Sequence, residues 1–121
     1  MARIGIPRSL FYYYYFPLWK TFFSAMGHQV VLSAQTNKRI IEDGVRAAVD
    51  EVCFPVKTYF GHVASLNKSV DYIFCPRIIS IEPKGYICPK FMGLPDMIAA
   101  TTISKGTKLL TPLINVKKGI F

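Results

Sequence analysis

Cys53, Cys75 and Cys88 each stand beside a proline or one residue from it, as Cys53-Phe-Pro55, Cys75-Pro76 and Cys88-Pro89. Proline fixes the local backbone and removes an amide donor, which suits a thiolate held at a helix start or a strand end. Cys53 meets that description best, because a cysteine just before a helix has its acidity raised by the amides and dipole of the terminus. Cys75 closes an apolar run and reads first as core, since free cysteines are among the most buried residue types. Three thiolates are enough for three corners of an iron–sulfur cluster. The spacings, 21 residues between Cys53 and Cys75 and 12 between Cys75 and Cys88, contain no Cys-x-x-Cys and do not specify one.

Other chemistries fare worse. An odd number of cysteines at wide spacing is no disulfide framework. Structural zinc wants four ligands at tighter intervals, and His28 and His62 fall near apolar faces, where a satisfied structural histidine is expected. There is no Gly-x-Ser-x-Gly elbow, and no Gly-x-Gly-x-x-Gly or Gly-Lys-Ser/Thr phosphate loop follows a strand-like run.

The elements that must position these residues are legible as alternating apolar runs. Arg3-Ile-Gly-Ile-Pro7 reads as a buried strand closed by proline. Four tyrosines, Tyr12 to Tyr15, follow at successive positions and must point all round the chain. From Phe16 the apolar positions Phe16, Trp19, Phe22, Phe23 and Met26 recur at helical steps, with Pro17 in the first turn and Gly27 as the stop. Phe16, Trp19, Phe22 and Phe23 are expected to cover the first strand. Gln29 to Ser33 is a second strand. Thr36 is placed to cap a helix through about Val52, in which Gly44 costs roughly 1 kcal/mol relative to alanine. Pro55 opens a further helix, with Val56, Tyr59, Phe60 and Val63 on one face. Val70 to Cys75 is a third strand stopped by Pro76. Pro95 is expected to open a helix through about Thr102, and Lys108 to Pro112 is a candidate fourth strand.

This order predicts a single α/β domain over residues 1–121, with a Rossmann-like, open, mostly parallel sheet and flanking helices. Ligands in such sheets sit at the carboxyl ends of the strands. Pro7-Arg8 and Cys75-Pro76-Arg77 both fall there.

Charge and length bound the surroundings. Fifteen basic residues against seven acidic give a net charge of +8, which suits an anionic partner without naming it. Nucleic acid is supported by net charge alone, and salt-insensitive binding would argue against it. The uncharged run from Ser9 to Trp19 is eleven residues, short of the roughly 20 needed to span a bilayer, so no membrane association is expected. The segment also lacks the aliphatic middle of a secretory signal, so the expected location is the cytoplasm.

Several segments together resemble one family: Arg3-Ile-Gly-Ile-Pro-Arg8 with FYYYYFPLWKTFF, Thr36-Asn-Lys38, Val49-Asp-Glu-Val-Cys-Phe-Pro-Val-Lys57 with Gly61-His62, Asp71-Tyr-Ile-Phe74 with Pro76-Arg77, and Tyr86-Ile-Cys-Pro-Lys-Phe-Met-Gly-Leu-Pro-Asp-Met97. They are similar to the 2-hydroxyacyl-CoA dehydratase and benzoyl-CoA reductase superfamily, in its acyl-CoA dehydratase activase-related branch. The resemblance covers residues 2–98, leaving 99–121 unassigned. It implies one Rossmann-like lobe of a larger two-lobed protein, in which cysteines hold an oxygen-sensitive iron–sulfur cluster of the 4Fe–4S type. An ATP-dependent activator passes one electron to that cluster for radical chemistry on an acyl-CoA thioester. By motif, Cys53 and Cys88 are the implied ligands. Cys75 departs from the family pattern, which has an aliphatic residue there. Arg8, Lys57, Arg77 and Lys90 would steady an anionic cluster, thioester or coenzyme phosphate through charge-assisted hydrogen bonds.

Family proteins are much longer, so the chain is expected to be an amino-terminal piece that meets a carboxyl-terminal lobe, an activator or a second copy of itself. The competing expectation is a non-catalytic assembly lobe with structural cysteines and a tyrosine-rich docking surface.

Overall fold

Four short apolar strands, each too short to be stable alone, share one parallel sheet in the computed structural model, which describes residues 1–80 and 89–115. The strands are β1 (Arg3–Ile6), β2 (Gln29–Leu32), β3 (Tyr72–Phe74) and β5 (Lys108–Leu110), in the spatial order β2-β1-β3-β5. Register pairs Ile4 with Val30 and Tyr72, and Ile73 with Leu109. β1 is central, and its Ile4 and Ile6 are fully buried. The mixed α/β, Rossmann-like fold expected from the sequence is the fold observed.

The ladder between β3 and β5 is interrupted and then resumes as a second parallel pair, β4 (Arg77–Ser80) with β6 (Leu113–Asn115). Pro76 and Pro112 cause the break, because neither has an N–H to give the ladder. The flanking amides bridge it: Cys75 N–H donates to Leu110 O and Arg77 N–H to Pro112 O, each at 2.8 Å.

Helix α1 spans Tyr12–Ala25, starting four residues before the expected Phe16. Ring pairs explain the earlier start. Tyr12 stacks on Phe16 at 5.0 Å and Tyr15 lies 6.0 Å from Trp19, and residues four apart meet only when the backbone is helical. Pro17 therefore lies within the helix rather than in its first turn. Trp19 and Phe23 pack edge-on against Phe74 at 4.9 and 5.1 Å, covering β1 as expected. Phe22 and Met26 do not. Each is more than half exposed, since the covering face passes through Phe16, Trp19 and Phe23.

Helix α2 spans Lys38–Ala47 and α3 spans Phe54–Leu66. The cap of α2 is Asn37 rather than Thr36. Asn37 Oδ1 accepts from Ile40 N–H at 2.9 Å, while the Thr36 hydroxyl is engaged elsewhere. Asn37→Ala is expected to lower stability by about 1 kcal/mol, read as a lower midpoint in chemical denaturation. The helix also stops before Val52, because Ala48 turns to extended backbone.

The α2–α3 contact is made backbone to backbone. A Cβ on Gly44 would strike the Lys57 carbonyl, and one on Gly61 would strike the Ile40 carbonyl. Gly44, expected only to weaken its helix, is what lets α3 approach.

Helix α4 spans Pro89–Ala99, so Pro89 lies at its start and Pro95 within it, contrary to the expected start at Pro95. A larger core joins Val56, Tyr59, Phe60 and Val63 of α3 to Ile73, Cys75, Leu94 and Ile98. Among the described residues, no helix is long and apolar enough to cross a membrane.

Candidate functional site

Parallel strands carry their carboxyl ends to one edge, and the chain leaves β1 toward β2 before returning to β3 on the other side. The crevice between β1 and β3 is therefore a topological switch point. Pro7, Arg8 and Ser9 follow β1, Ser33 follows β2, and Cys75 and Pro76 follow β3.

A hydrogen-bonded group joins the first two of these loops to α3. Arg8 N–H donates to Ser33 Oγ at 2.8 Å. Ser33 Oγ lies 2.7 Å from His62 Nδ1, and Thr36 Oγ1 lies 2.9 Å from His62 Nε2. His62 is fully buried. Burial first, and the nearby Arg8 charge second, lower its pKa to about 4, so the ring is neutral at pH 7. A neutral imidazole donates through one nitrogen and accepts through the other, and a hydroxyl on each side complements either tautomer.

Cys53 sits at the N-cap of α3 and is exposed. The Ser9 hydroxyl reaches Pro55 O at 3.5 Å, which ties the loop after β1 to the turn that carries Cys53. Lys57 is half-buried one turn further, its N–H donating to Cys53 O at 3.0 Å. Cys75 has the opposite setting. It is fully buried, and burial pushes its thiol up to about 12 against the opposing pull of the Tyr59 hydroxyl and Arg77. Burial also raises the Tyr59 pKa. Cys88 lies outside the described residues. Lys90 is in the first turn of α4.

Arg77, at the same edge, is already paired. Its Nη1 and Nη2 donate to Asp96 Oδ2 and Oδ1 at 2.7 and 2.9 Å, and Nη1 also donates to Met92 O at 2.9 Å. The bidentate bond holds the Asp96 carboxyl below the usual range and raises the Arg77 pKa. Arg8 differs: its Nε is buried with no hydrogen-bond partner among the described residues.

At the switch point itself lies a cavity of about 20 Å³, lined by Ile6, Leu10, Trp19, Tyr59, Phe74 and Leu94 among others. It has room for a water-sized group and none for an acyl chain. Among the described residues, no three His, Cys, Asp or Glu side chains gather closely enough to hold a metal ion. Cys53, an accessible thiol, fits a role as one ligand to a soft metal centre. Cys75 fits it poorly, because its surroundings favour the protonated thiol over the thiolate that binds metal.

The sequence matches the family described as CoA enzyme activase uncharacterised domain (DUF2229) over residues 3–120. The chain belongs to this family. The match runs past residue 98, where the resemblance read from the sequence stops, and takes in β5 and β6. Neither curated proteins nor solved structures gave a match.

This activase-related domain also carries an apolar face that its own fold leaves open. Tyr14, Leu18, Phe22 and Met26, four residues apart along α1, are 79, 64, 56 and 58% exposed. Lys20 is the one charged residue of that helix.

The site's hydroxyl-imidazole group was largely missed by sequence reasoning. Ser33 and His62 belong to no catalytic motif, and His62 reads as a structural histidine. The usable signal was positional, since Ser33 and Thr36 follow the carboxyl end of a strand.

Proposed function

We propose that this domain is one lobe of a larger, two-lobed acyl-CoA dehydratase-related system, and that it supplies cysteine ligands to an iron–sulfur cluster of the 4Fe–4S type. The observation that carries this reading is the placement of Cys53. It is an exposed thiol at the start of α3, tied through Pro55 and Ser9 to the carboxyl edge of β1, in a chain of the CoA enzyme activase family. The cluster would supply one-electron chemistry on an acyl-CoA thioester. The chain's own residues would bind and orient: Cys53 and Cys88 as ligands, and Arg8, Lys57 and Lys90 as cations toward bound negative charge. Arg77, held by Asp96, would act by fixing α4 against β4. Cys75 would pack the core. Remaining ligands would come from a carboxyl-terminal lobe or a partner dehydratase, and the electron from an ATP-dependent activator.

Anaerobic reconstitution with iron and sulfide, followed by absorption and metal analysis, tests the proposal. The parent is expected to take up a coloured cluster that Cys53→Ser and Cys88→Ser lose and Cys75→Ser keeps. Retention in Cys53→Ser would overturn it. A colourless parent indistinguishable from all three variants would favour a second reading, a non-catalytic assembly lobe. The exposed Tyr13, Tyr14, Leu18 and Phe22 of α1 favour that reading, as a face for another lobe of the same system.

A further inference from the structure

Arg8 is a cation with unfinished bonding. Among the described residues its Nε, shielded from solvent, has no hydrogen-bond partner, and it takes part in none of their ion pairs. Arg39, Arg46 and Arg77 all have carboxylates. A buried donor on a charged group is costly to leave unmade, and placing it beside His62 adds a neighbour that must stay neutral. Such an arrangement suits a group completed by an anion from outside the chain.

The neighbouring atoms are arranged to help. The Arg8 main chain is anchored by the buried Ser33 hydroxyl. Thr36 is exposed, yet its Oγ1 is fixed by the buried His62 ring, so it offers a positioned hydroxyl to solvent. The N-terminus of α2 is not the anion site, because the Asn37 side chain occupies it.

We propose that the carboxyl edge of β1 and β2 binds a phosphate group, gripped by the Arg8 guanidinium and by the Thr36 hydroxyl that His62 holds in place. A planar guanidinium fork matches phosphate oxygens in pairs. Phosphate has the further oxygen that a hydroxyl can reach, whereas a carboxylate has only the two that the fork occupies. The grip is made by side chains, consistent with the absence of a glycine-rich loop after β1. The site uses no cysteine; it rests on the role proposed above for Arg8, a cation toward bound negative charge, and names that charge as phosphate.

The phosphate could belong to a coenzyme or be free, and calorimetric titration with coenzyme A, its dephospho form, ATP and inorganic phosphate separates these sources. Saturable binding at physiological ionic strength is expected for at least one of them. Arg8→Gln and Thr36→Val are each expected to weaken it roughly 10-fold or more, with Arg46→Gln, whose exposed side chain pairs with Asp43, unchanged. Preference for coenzyme A over its dephospho form would assign the 3′-phosphate, and similar binding of all phosphates would assign the group alone. Absence of saturable binding, or equal losses in Arg8→Gln and Arg46→Gln, would overturn the proposal. Should Arg8→Gln fail to fold, Thr36→Val decides once circular dichroism shows it folded, because its hydroxyl also bonds Nε2 of the buried His62, and unchanged affinity in the folded variant would refute the site. A colourless reconstitution together with phosphate binding would leave this site standing and remove only the cluster.

Discussion

Gly61→Ala is expected to lower the thermal midpoint by roughly 8 °C, and Gly44→Ala by a similar amount. Propensity alone gives the opposite sign, because alanine favours a helix interior over glycine by about 1 kcal/mol. Packing decides it. The added methyl at Gly61 meets the Ile40 carbonyl and that at Gly44 meets the Lys57 carbonyl, and a backbone oxygen cannot swing aside as a flexible side chain does. Helices α2 and α3 must separate, and overpacking of this kind costs on the order of 3 kcal/mol. The net loss of about 2 kcal/mol converts at about 4 °C per kcal/mol for a domain of this size. Gly93→Ala in α4, where a new Cβ meets nothing within 4 Å, is the control and is expected to be neutral or slightly stabilising. Scanning calorimetry of the three variants checks this, and an unchanged midpoint in Gly61→Ala would contradict the close contact.

Acidification should unfold the domain through His62. In the unfolded chain its imidazole takes a proton near pH 6.5, whereas in the folded protein burial and Arg8 hold that event down to about pH 4. Between these values the unfolded state binds more protons, so stability falls as pH falls. Above pH 6.5 both states are neutral at this group and it contributes no slope. The full loss across the window is on the order of 3 kcal/mol. Urea denaturation at a series of pH values should show that decline in the parent, and His62→Gln should lack most of it while starting less stable. An identical slope in His62→Gln would assign the acid sensitivity to carboxylates instead.

Cys53 and Cys75 show how far sequence reading goes at a site. Proline next to a cysteine marks a backbone boundary, and both boundaries are where the pattern puts them, one before α3 and one after β3. Burial separates the two, and burial depends on what packs from elsewhere in the chain. Cys75 was legible as core because its run is apolar. Arg77 was not legible as a paired residue, because Asp96 is 19 residues away and meets it only once α4 lies against β4. His62 was read as structural, and it does hold structure, but its partners Ser33 and Thr36 come from a different loop 26 to 29 residues earlier.

Two expected helix starts, Phe16 and Pro95, differ from the structure for a related reason: Pro17 and Pro95 both lie within helices whose starts are set by earlier residues. Ring pairs such as Tyr12 with Phe16 stabilise turns that capping rules alone do not predict.

By itself the sequence determined the α/β class, the central Ile4 and Ile6 strand and the edge on which Arg8 and Cys75 stand, because period and proline placement are local and fix the elements they lie in; its motifs gave the family at the level of an activase-related domain. The tertiary structure alone decided that Gly44 and Gly61 let two helices touch, that Arg77 is paired while Arg8 Nε has no partner among the described residues, that Phe22 faces outward, and that His62 ties the loop after β2 to α3. Each of these depends on contacts between residues distant in sequence, and pairings of that kind follow from how the elements pack rather than from any local pattern.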